Sequence, residues 1–488
     1  MAALLGAAMA AAAQQPFDLD PTFRTPIQKV YVTSILPTED GKVWVSGMMY
    51  YTPTLGSPYS RLNHSGSWDL TSPLLGEVGF FKKWNDQFYL GMATPRRYFQ
   101  DGTQDTSFNI FRSPDYHALQ GGEYFVNPDG SLLMGGVNFL TDSSGNLIDY
   151  YCLLRFTTDG SLDTTFTPRS CAGGSLNYFT ELPNGQFIGS GSTSIWDGQA
   201  ASNIIRFNAD GSLDPAFQAN VWWGSAYGFL PLDDGRVYVG GEFKIAGIAD
   251  TLYLARLMPD GSLDPSFNHA MKFWEPNLLQ PWMPPWGIVR TIYPLDEGRL
   301  IVTGNFGNVN DQPRGGIALI DTAGNLLDDL FSGNGCGGYF YQPNTALPPL
   351  DYYRVISGIK PAPDGSFYIW GAYHGYDDGT TNDTMQRFVS RLHGLNVGIN
   401  EQPAQPAMLQ IAPNPSHGGA VQLSVGEVPK RAKLTVHDAS GRMALQEPWP
   451  AGTFTHTLKA GLLAPGTYLL RVQEEQGTLH TGKLIVLP

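Results

Sequence analysis

Two kinds of residue in this chain have the type and spacing to do chemistry: aspartates that recur at a fixed place and tryptophans gathered in one short segment. Asp163, Asp214 and Asp264 each sit in a DGSLD-x-x-F octapeptide. Paired carboxylates can serve as acid, base or nucleophile. A residue present in every good repeat argues instead for the scaffold, capping a turn or pairing with Arg155, Arg206 and Arg256 just upstream. Trp274, Trp282 and Trp286 lie among four prolines at 273–287, one repeat after Trp222 and Trp223. Exposed aromatic faces stack on sugar rings or peptides at low entropic cost, so these five residues are candidate ligand-binding positions. The plainer alternative is that the tryptophans fold the insertion onto the body. Asp377, Asp378, Asn382 and Asp383 supply oxygen ligands that calcium would accept. Their spacing is not that of the regular calcium loop, and Asp/Asn/Gly clusters also make ordinary turns. No other cofactor is expected.

Linear signatures of catalysis are missing: there is no H-E-x-x-H, no G-x-S-x-G and no P-loop. Of nine histidines, His417, His437, His456 and His480 fall in the last 80 or so residues. Carboxylates brought together from different repeats would leave no linear motif, so a glycosidase or lyase stays open.

What must position these residues is a repeat. DGSLDPSF at 260–267 returns as DGSLDPAF (210–217), DGSLDTTF (159–166) and DGTQDTSF (101–108), with DLDPTF at 18–23 and a worn AGNLLDDLF at 323–331. Self-similarity at tens of residues signals repeat architecture. Each copy closes a longer unit of four short strands, a to d. Strands a and b flank a turn at Asp40-Gly41, Asn85-Asp86, Asp129-Gly130, Asn184-Gly185, Asp234-Gly235, Glu297-Gly298 and Asp364-Gly365. Asp-Gly between apolar runs is a strong hairpin signal. Strand b starts on Val43, Phe88, Leu132, Phe187, Val237, Leu300 and Phe367 and ends on Gly47, Gly91, Gly136, Gly191, Gly241, Gly304 and Gly371. Such a glycine suits a bulge or a close backbone approach.

Pro21, Pro215 and Pro265 lie in strand d. Proline cannot donate to a central ladder, so strand d is an outer edge. Seven units with a protected edge describe an all-β, seven-bladed β-propeller of four-stranded antiparallel blades. The seventh unit lacks its DGSLDPSF, and the displaced DLDPTF at 18–23 supplies that piece, latching a ring shut. The a–b and c–d turns share one face and are too tight to hold a site. The other face carries the long b–c loops 141–150, 194–203 and 374–384 and the d–a connections 273–287 and 336–353, with Trp222 and Trp223 on the d–a connection that precedes 273–287. Variable loops on a rigid scaffold are where binding resides.

Composition narrows the class. A chain of 488 residues with 12% aromatic and 15% charged residues is folded, β-rich and modular. Its net charge of −14 argues against nucleic acid or an anionic membrane surface. Residues 1–13 read as an apolar signal segment ending in Ala11-Ala12-Ala13, and no later apolar run reaches 18 residues. Three cysteines allow one internal disulfide, with Cys152 and Cys171 the nearest pair in sequence.

The units resemble the delta-60 (domain of unknown function) propeller repeats of secreted bacterial proteins, in the LPDGK-type turn, V-G-G, A-R-L and DGSLD-x-x-F. The resemblance spans 17–398 and is most specific in units three to five; it implies a propeller and no fixed activity. After a Pro/Gln linker at 399–407, residues 408–488 alternate in Leu434, Val436 and in Tyr468, Leu470, Val472, which predicts a small β-sandwich. Pro413-Asn414-Pro415, Asp438 with Gly441-Arg442, Pro465-Gly466-Thr467-Tyr468 and Lys483-Leu484-Ile485-Val486 resemble the type A C-terminal sorting domain of the Por (type IX) secretion system of Bacteroidota. That resemblance implies passage through the type IX translocon and removal by a sortase, leaving a secreted or surface-anchored chain. The expectation is a monomeric, non-enzymatic module that binds a glycan or a surface protein through its long-loop face. The alternatives are a surface polysaccharide hydrolase or lyase and a structural or adhesion protein.

Overall fold

The computed structural model describes residues 15–395 and 407–487, apart from residues 51, 53–55, 57–59, 297, 329, 343–347, 350, 426–431, 439–441 and 475–478. The expected signal segment at 1–13, residues 399–406 of the expected linker, Glu297 and Gly441 lie outside the described residues. The chain divides into two compact units, Met1–Gly398 and Ile399–Pro488. Among the described residues the only helical elements are two single 3-10 turns, Ile110–Arg112 and Ala460–Leu462.

In the larger unit the a–b hairpins fall where the turns predict them. They are Ser34–Pro37 with Val43–Ser46, Phe80–Trp84 with Gln87–Gly91, Tyr116–Val126 with Leu132–Thr141, and Leu176–Glu181 with Phe187–Gly191. Val221–Pro231 pairs with Val237–Ile245, Ile288–Pro294 with Arg299–Asn305, and Val355–Pro361 with Phe367–Asp377. The turn glycine is required by its backbone, as at Gly235 with φ +85°. The glycine ending strand b answers a close approach: a Cβ at Gly241 would meet the Ser225 carbonyl at 2.3 Å. The approach coincides with a register shift in strand a between Ala226 and Gly228.

Strand d is shorter than the sequence suggests. In units two to five it is one antiparallel bridge, Tyr98 to Gln104, Phe156 to Leu162, Phe207 to Leu213 and Leu257 to Leu263, and in unit six the two-residue strand Leu326–Leu327. The chain then turns, and Phe108, Phe166, Phe217 and Phe267 are buried. The motif aspartate fixes that turn, and both roles expected of it are met at once. One carboxylate oxygen of Asp163 accepts the Thr165 N–H (2.8 Å) and hydroxyl (2.6 Å); the other accepts Arg155 Nε at 2.7 Å. The pairs Arg97–Asp105, Arg206–Asp214 and Arg256–Asp264 repeat this at 2.7, 2.8 and 2.7 Å. A hydrogen bond from Ser266, joined by Arg236 and Arg256, holds the Asp264 carboxyl far below the usual carboxylate range.

The N-terminal segment takes the same seat on the seventh unit. Leu19 bridges Leu392, the Asp20 N–H donates to the Arg391 carbonyl at 2.8 Å, and Arg391 Nη1 lies 3.3 Å from Asp20 Oδ2. The Thr22 N–H and hydroxyl donate to Asp20 Oδ1 at 2.9 and 2.6 Å. Phe23 is fully buried in a core shared by Val32, Ile35 and Val43 of unit one and Tyr368, Phe388 and Val389 of unit seven. The other cores likewise lie between consecutive units, for example Ile188 and Ile204 against Val237 and Leu257. The second strands are buried at consecutive residues, Val43–Ser46 and Phe187–Gly191 along their whole length, because both faces of the sheet meet a neighbour. Cys152 and Cys171 form a disulfide with Cα atoms 5.7 Å apart, and Cys336 is buried with a free thiol.

The smaller unit is two sheets packed over one core. One holds Ala432–Asp438, Met443–Pro448, Gly466–Glu474 and Leu479–Val486 with the short Ala407–Met408; the other holds Gln410–Ala412, Ala420–Ser424 and Thr455–Lys459. Val421, Leu423 and Leu458 from the second meet Leu434, Val436, Leu470 and Val472 from the first.

Candidate functional site

The first strands of all seven units converge on one cavity of about 600 Å³. It is lined by Ser34, Lys82, Glu123, Tyr178, Tyr227, Arg290 and Lys360, one from each unit in turn, together with Phe80, Phe81, Tyr353 and Trp370. Sequence reasoning missed these residues. They sit mid-strand, where a polar side chain among apolar neighbours marks an inward position, but strand periodicity alone does not reveal that seven such positions share a lumen. Lys82 forms an ion pair with Glu123. Arg290 Nε donates to Asn305 Oδ1 at 2.5 Å, and its guanidinium stands 5.2 Å over the Tyr227 ring. Tyr178 and Tyr227 lie edge-tilted with centroids 5.0 Å apart. Lys360 Nζ donates to the Ile35 carbonyl at 3.1 Å. Burial, and then the Lys82 charge, push its ammonium down to about 8.

The five tryptophans occupy different settings. Trp222 and Trp223 were expected on a connecting loop but begin strand a of unit five, Val221–Pro231. A register shift between Val221 and Trp223 leaves Trp222 as the extra residue of a bulge, which is why two adjacent side chains are both exposed, at 62% and 44%. Lys244 stands 5.6 Å over the Trp223 ring. In the 273–287 insertion, Trp274 and Trp286 are half-buried. Glu275 and Trp286 exchange backbone hydrogen bonds of 2.6 and 3.1 Å that clamp the base, and Trp274 Nε1 donates to Asp311 Oδ1 at 3.1 Å. Trp282 at the far end is 80% exposed, beside exposed Met283 and Leu278. The insertion thus divides into two anchoring tryptophans and one presented.

Beneath the clamp, the Glu275 carboxylate is 2% exposed and neither oxygen has a hydrogen-bond partner. Arg354 Nη1 is 3.6 Å away, and burial pushes the acid up to about 7.

The aspartate loop expected at 374–384 is largely a hairpin, Phe367–Asp377 with Asn382–Leu392. Asp378 accepts the Leu19 N–H at 2.7 Å and the Thr380 and Thr381 N–H groups at 2.7 and 2.6 Å. Asp377 accepts Asn334 Nδ2 at 2.6 Å, and Asp383 pairs with Arg24. Their acceptor oxygens are thus directed at the protein's own donors, and among the described residues no three His, Cys, Asp or Glu side chains cluster as metal ligands. The 141–150 loop is likewise a hairpin extension, Leu132–Thr141 with Leu147–Tyr151. The face of tight turns is not closed either: a cleft of about 660 Å³ opens between Asn127, Asp129, Arg155, Glu181 and Ala209.

In the smaller unit the sorting-signal residues gather around the last strand. Asn414 Nδ2 donates to the Lys483 carbonyl at 2.6 Å and its Oδ1 accepts the Ile485 N–H at 3.0 Å, so the side chain substitutes for a strand partner. Pro413 and Pro415 flank it and remove competing donors. Gly466, after Pro465, pairs with Val486, and buried Tyr468 donates to the Ala464 carbonyl at 2.8 Å.

Antiparallel repeats cored between neighbours, with their first strands lining one cavity, belong to the β-propeller class. Residues 150–166, 182–217 and 232–267 match the DUF5122 family, a domain of unknown function described as a beta-propeller, and residues 410–487 match the secretion system C-terminal sorting domain. The chain carries DUF5122 β-propeller repeats in those three segments and a sorting domain that marks it as a secreted protein addressed to the type IX machinery. Among the described residues no helix is long and apolar enough to cross a membrane. No curated protein matches. Among solved structures, a fungal alcohol oxidase of the AA5 family in complex with copper aligns over 97% of this chain and 100% of its own, at 12% identity and TM-score 0.28. The extracellular domain of a putative one component system from B. thetaiotaomicron aligns over 97% and 98%, at 11% identity and TM-score 0.19. The BSP domain of a biofilm associated protein aligns over 83% and 80%, at 11% identity and TM-score 0.16.

Proposed function

We propose that the larger unit is a closed seven-bladed propeller and that the exported chain is a non-enzymatic binding module for a glycan, displayed or released once its tail is removed. Closure is supported by the core between units one and seven, by the Asp20–Arg391 pair and by the lumen lined from all seven units. The observation that carries the binding role is Trp282, 80% exposed at the end of an insertion whose base is held by the Glu275–Trp286 clamp. A large apolar ring kept in water on a braced segment is the arrangement that stacks on a sugar face with little further ordering cost. Hydrolysis would need two free carboxylates near one another. Glu123 is the one carboxylate among the described lumen-lining residues, and Lys82 engages it. The aspartates of the 377–383 hairpin are assigned a latching role rather than calcium.

A glycan-array screen tests this. Trp282→Ala and Trp222→Ala should each weaken the best hit by at least about ten-fold, equivalent to about 1.4 kcal/mol, with no change in melting temperature. Unchanged binding in the double variant refutes the tryptophan platform.

A further inference from the structure

The lumen has a charge pattern opposite to that of the molecule. The chain carries 44 acidic against 30 basic residues. The cavity lining nevertheless presents three cations, Lys82, Arg290 and Lys360, against the single carboxylate Glu123. Glu123 is engaged by Lys82. Among the described residues neither Arg290 nor Lys360 has a carboxylate within ion-pairing distance: Arg290 meets the Asn305 amide, the Tyr178 hydroxyl and the Tyr227 ring, and Lys360 meets the Ile35 carbonyl. Positive charges gathered in a confined, partly desolvated space repel one another and are costly unless an anion joins them. Burial first, and the neighbouring Lys82 charge second, lower the affinity of Lys360 for its proton.

The rest of the lining describes the anion's carrier. Tyr178 and Tyr227 form a tilted aromatic pair directly beside Arg290, and Phe81 and Trp370 add apolar surface. A cavity of about 600 Å³ lies within the range that holds small ligands. We infer that the lumen is a binding site for a sugar-sized molecule bearing a carboxylate or sulfate group, the oxyanion accepting from Lys360, Lys82 and Arg290 and the ring resting on Tyr178 and Tyr227. This site is separate from the tryptophan insertion, and its test is independent of that platform.

The test is isothermal titration calorimetry on the full chain with D-glucuronate, sodium sulfate and D-glucose. Glucuronate should bind at least ten-fold more tightly than glucose, and Lys360→Met should weaken glucuronate by at least ten-fold. Met keeps the length of the side chain and removes a buried charge, so the variant is expected to fold, which a melting curve verifies. Glucuronate tighter than sulfate shows that the ring contributes and supports the site; sulfate as tight as glucuronate or tighter shows that charge alone is read and overturns the contact with Tyr178 and Tyr227. The inference is overturned if the two anions bind no better than glucose, if Lys360→Met binds glucuronate like the parent, or if Trp282→Ala abolishes anion binding.

Discussion

Replacing Asp20 by Ala asks whether a residue near the start of the chain is as structural as its counterpart inside a repeat. The counterpart is Asp214. Both accept an arginine from the preceding strand, Asp214 from Arg206 at 2.8 Å and Asp20 from Arg391 at 3.3 Å. Both cap the next turn through Oδ1, with Thr22 N–H at 2.9 Å and Ala216 N–H at 2.9 Å. The carboxylate side chains are 9% and 13% exposed. Breaking a fully buried pair costs about 3–5 kcal/mol, and a lost cap about 1 kcal/mol. The arginines are 20% and 12% exposed and can turn to water, which lowers the ion-pair share. A loss of about 2–3 kcal/mol is expected for each variant, after that discount. An unfolding entropy of about 2.1 cal/mol/K per residue over the 398-residue unit gives about 0.8 kcal/mol/K, so each melting point should fall by about 3 °C. Scanning calorimetry on parent, Asp20→Ala and Asp214→Ala measures this. Equal losses mean that the first segment holds the last unit as tightly as a repeat holds itself. A change within about 0.5 kcal/mol for Asp20→Ala, with a full loss for Asp214→Ala, refutes the latch.

Two further outcomes are expected. The Cys152–Cys171 bridge closes a loop of sequence separation 19, so Cys152→Ala with Cys171→Ala should cost about 3 kcal/mol in urea unfolding; a parent mass that shows three free thiols on alkylation would refute the bridge. Glu275, with its acid raised from 4.5 to about 7 by burial, binds more protons folded than unfolded between those values. Stability from this group is therefore present below pH 4.5 and lost as pH rises through about 7, by roughly 3 kcal/mol. Glu275→Gln should remove that slope, and a variant that keeps it places the titration elsewhere.

Which parts of this were legible beforehand follows from how far apart the interacting residues lie in the chain. The a–b hairpins were readable because the turn, its glycine and the flanking alternation are neighbours in sequence. The double role of Asp163, Asp214 and Asp264 was readable because the arginine partner sits 8 residues upstream. The setting of Trp222 was misjudged because a bulge is a property of strand pairing, set by where Lys244 and Ile245 stand opposite it. The 374–384 segment has the composition of a turn, yet it pairs as strand because Leu19 and Arg24 bring it hydrogen-bonding partners from the chain's other end.

From the sequence by itself came the repeat, its seven turns, the missing last motif and the export tag, all encoded in local spacing and in copies that can be compared within one chain. Only the tertiary structure decided that Lys82, Glu123, Tyr178, Tyr227, Arg290 and Lys360 face one another, and that Glu275 is stranded without a hydrogen-bond partner. Each is one polar residue in an ordinary strand, and its charge acquires a consequence only when packing excludes water and sets the others beside it.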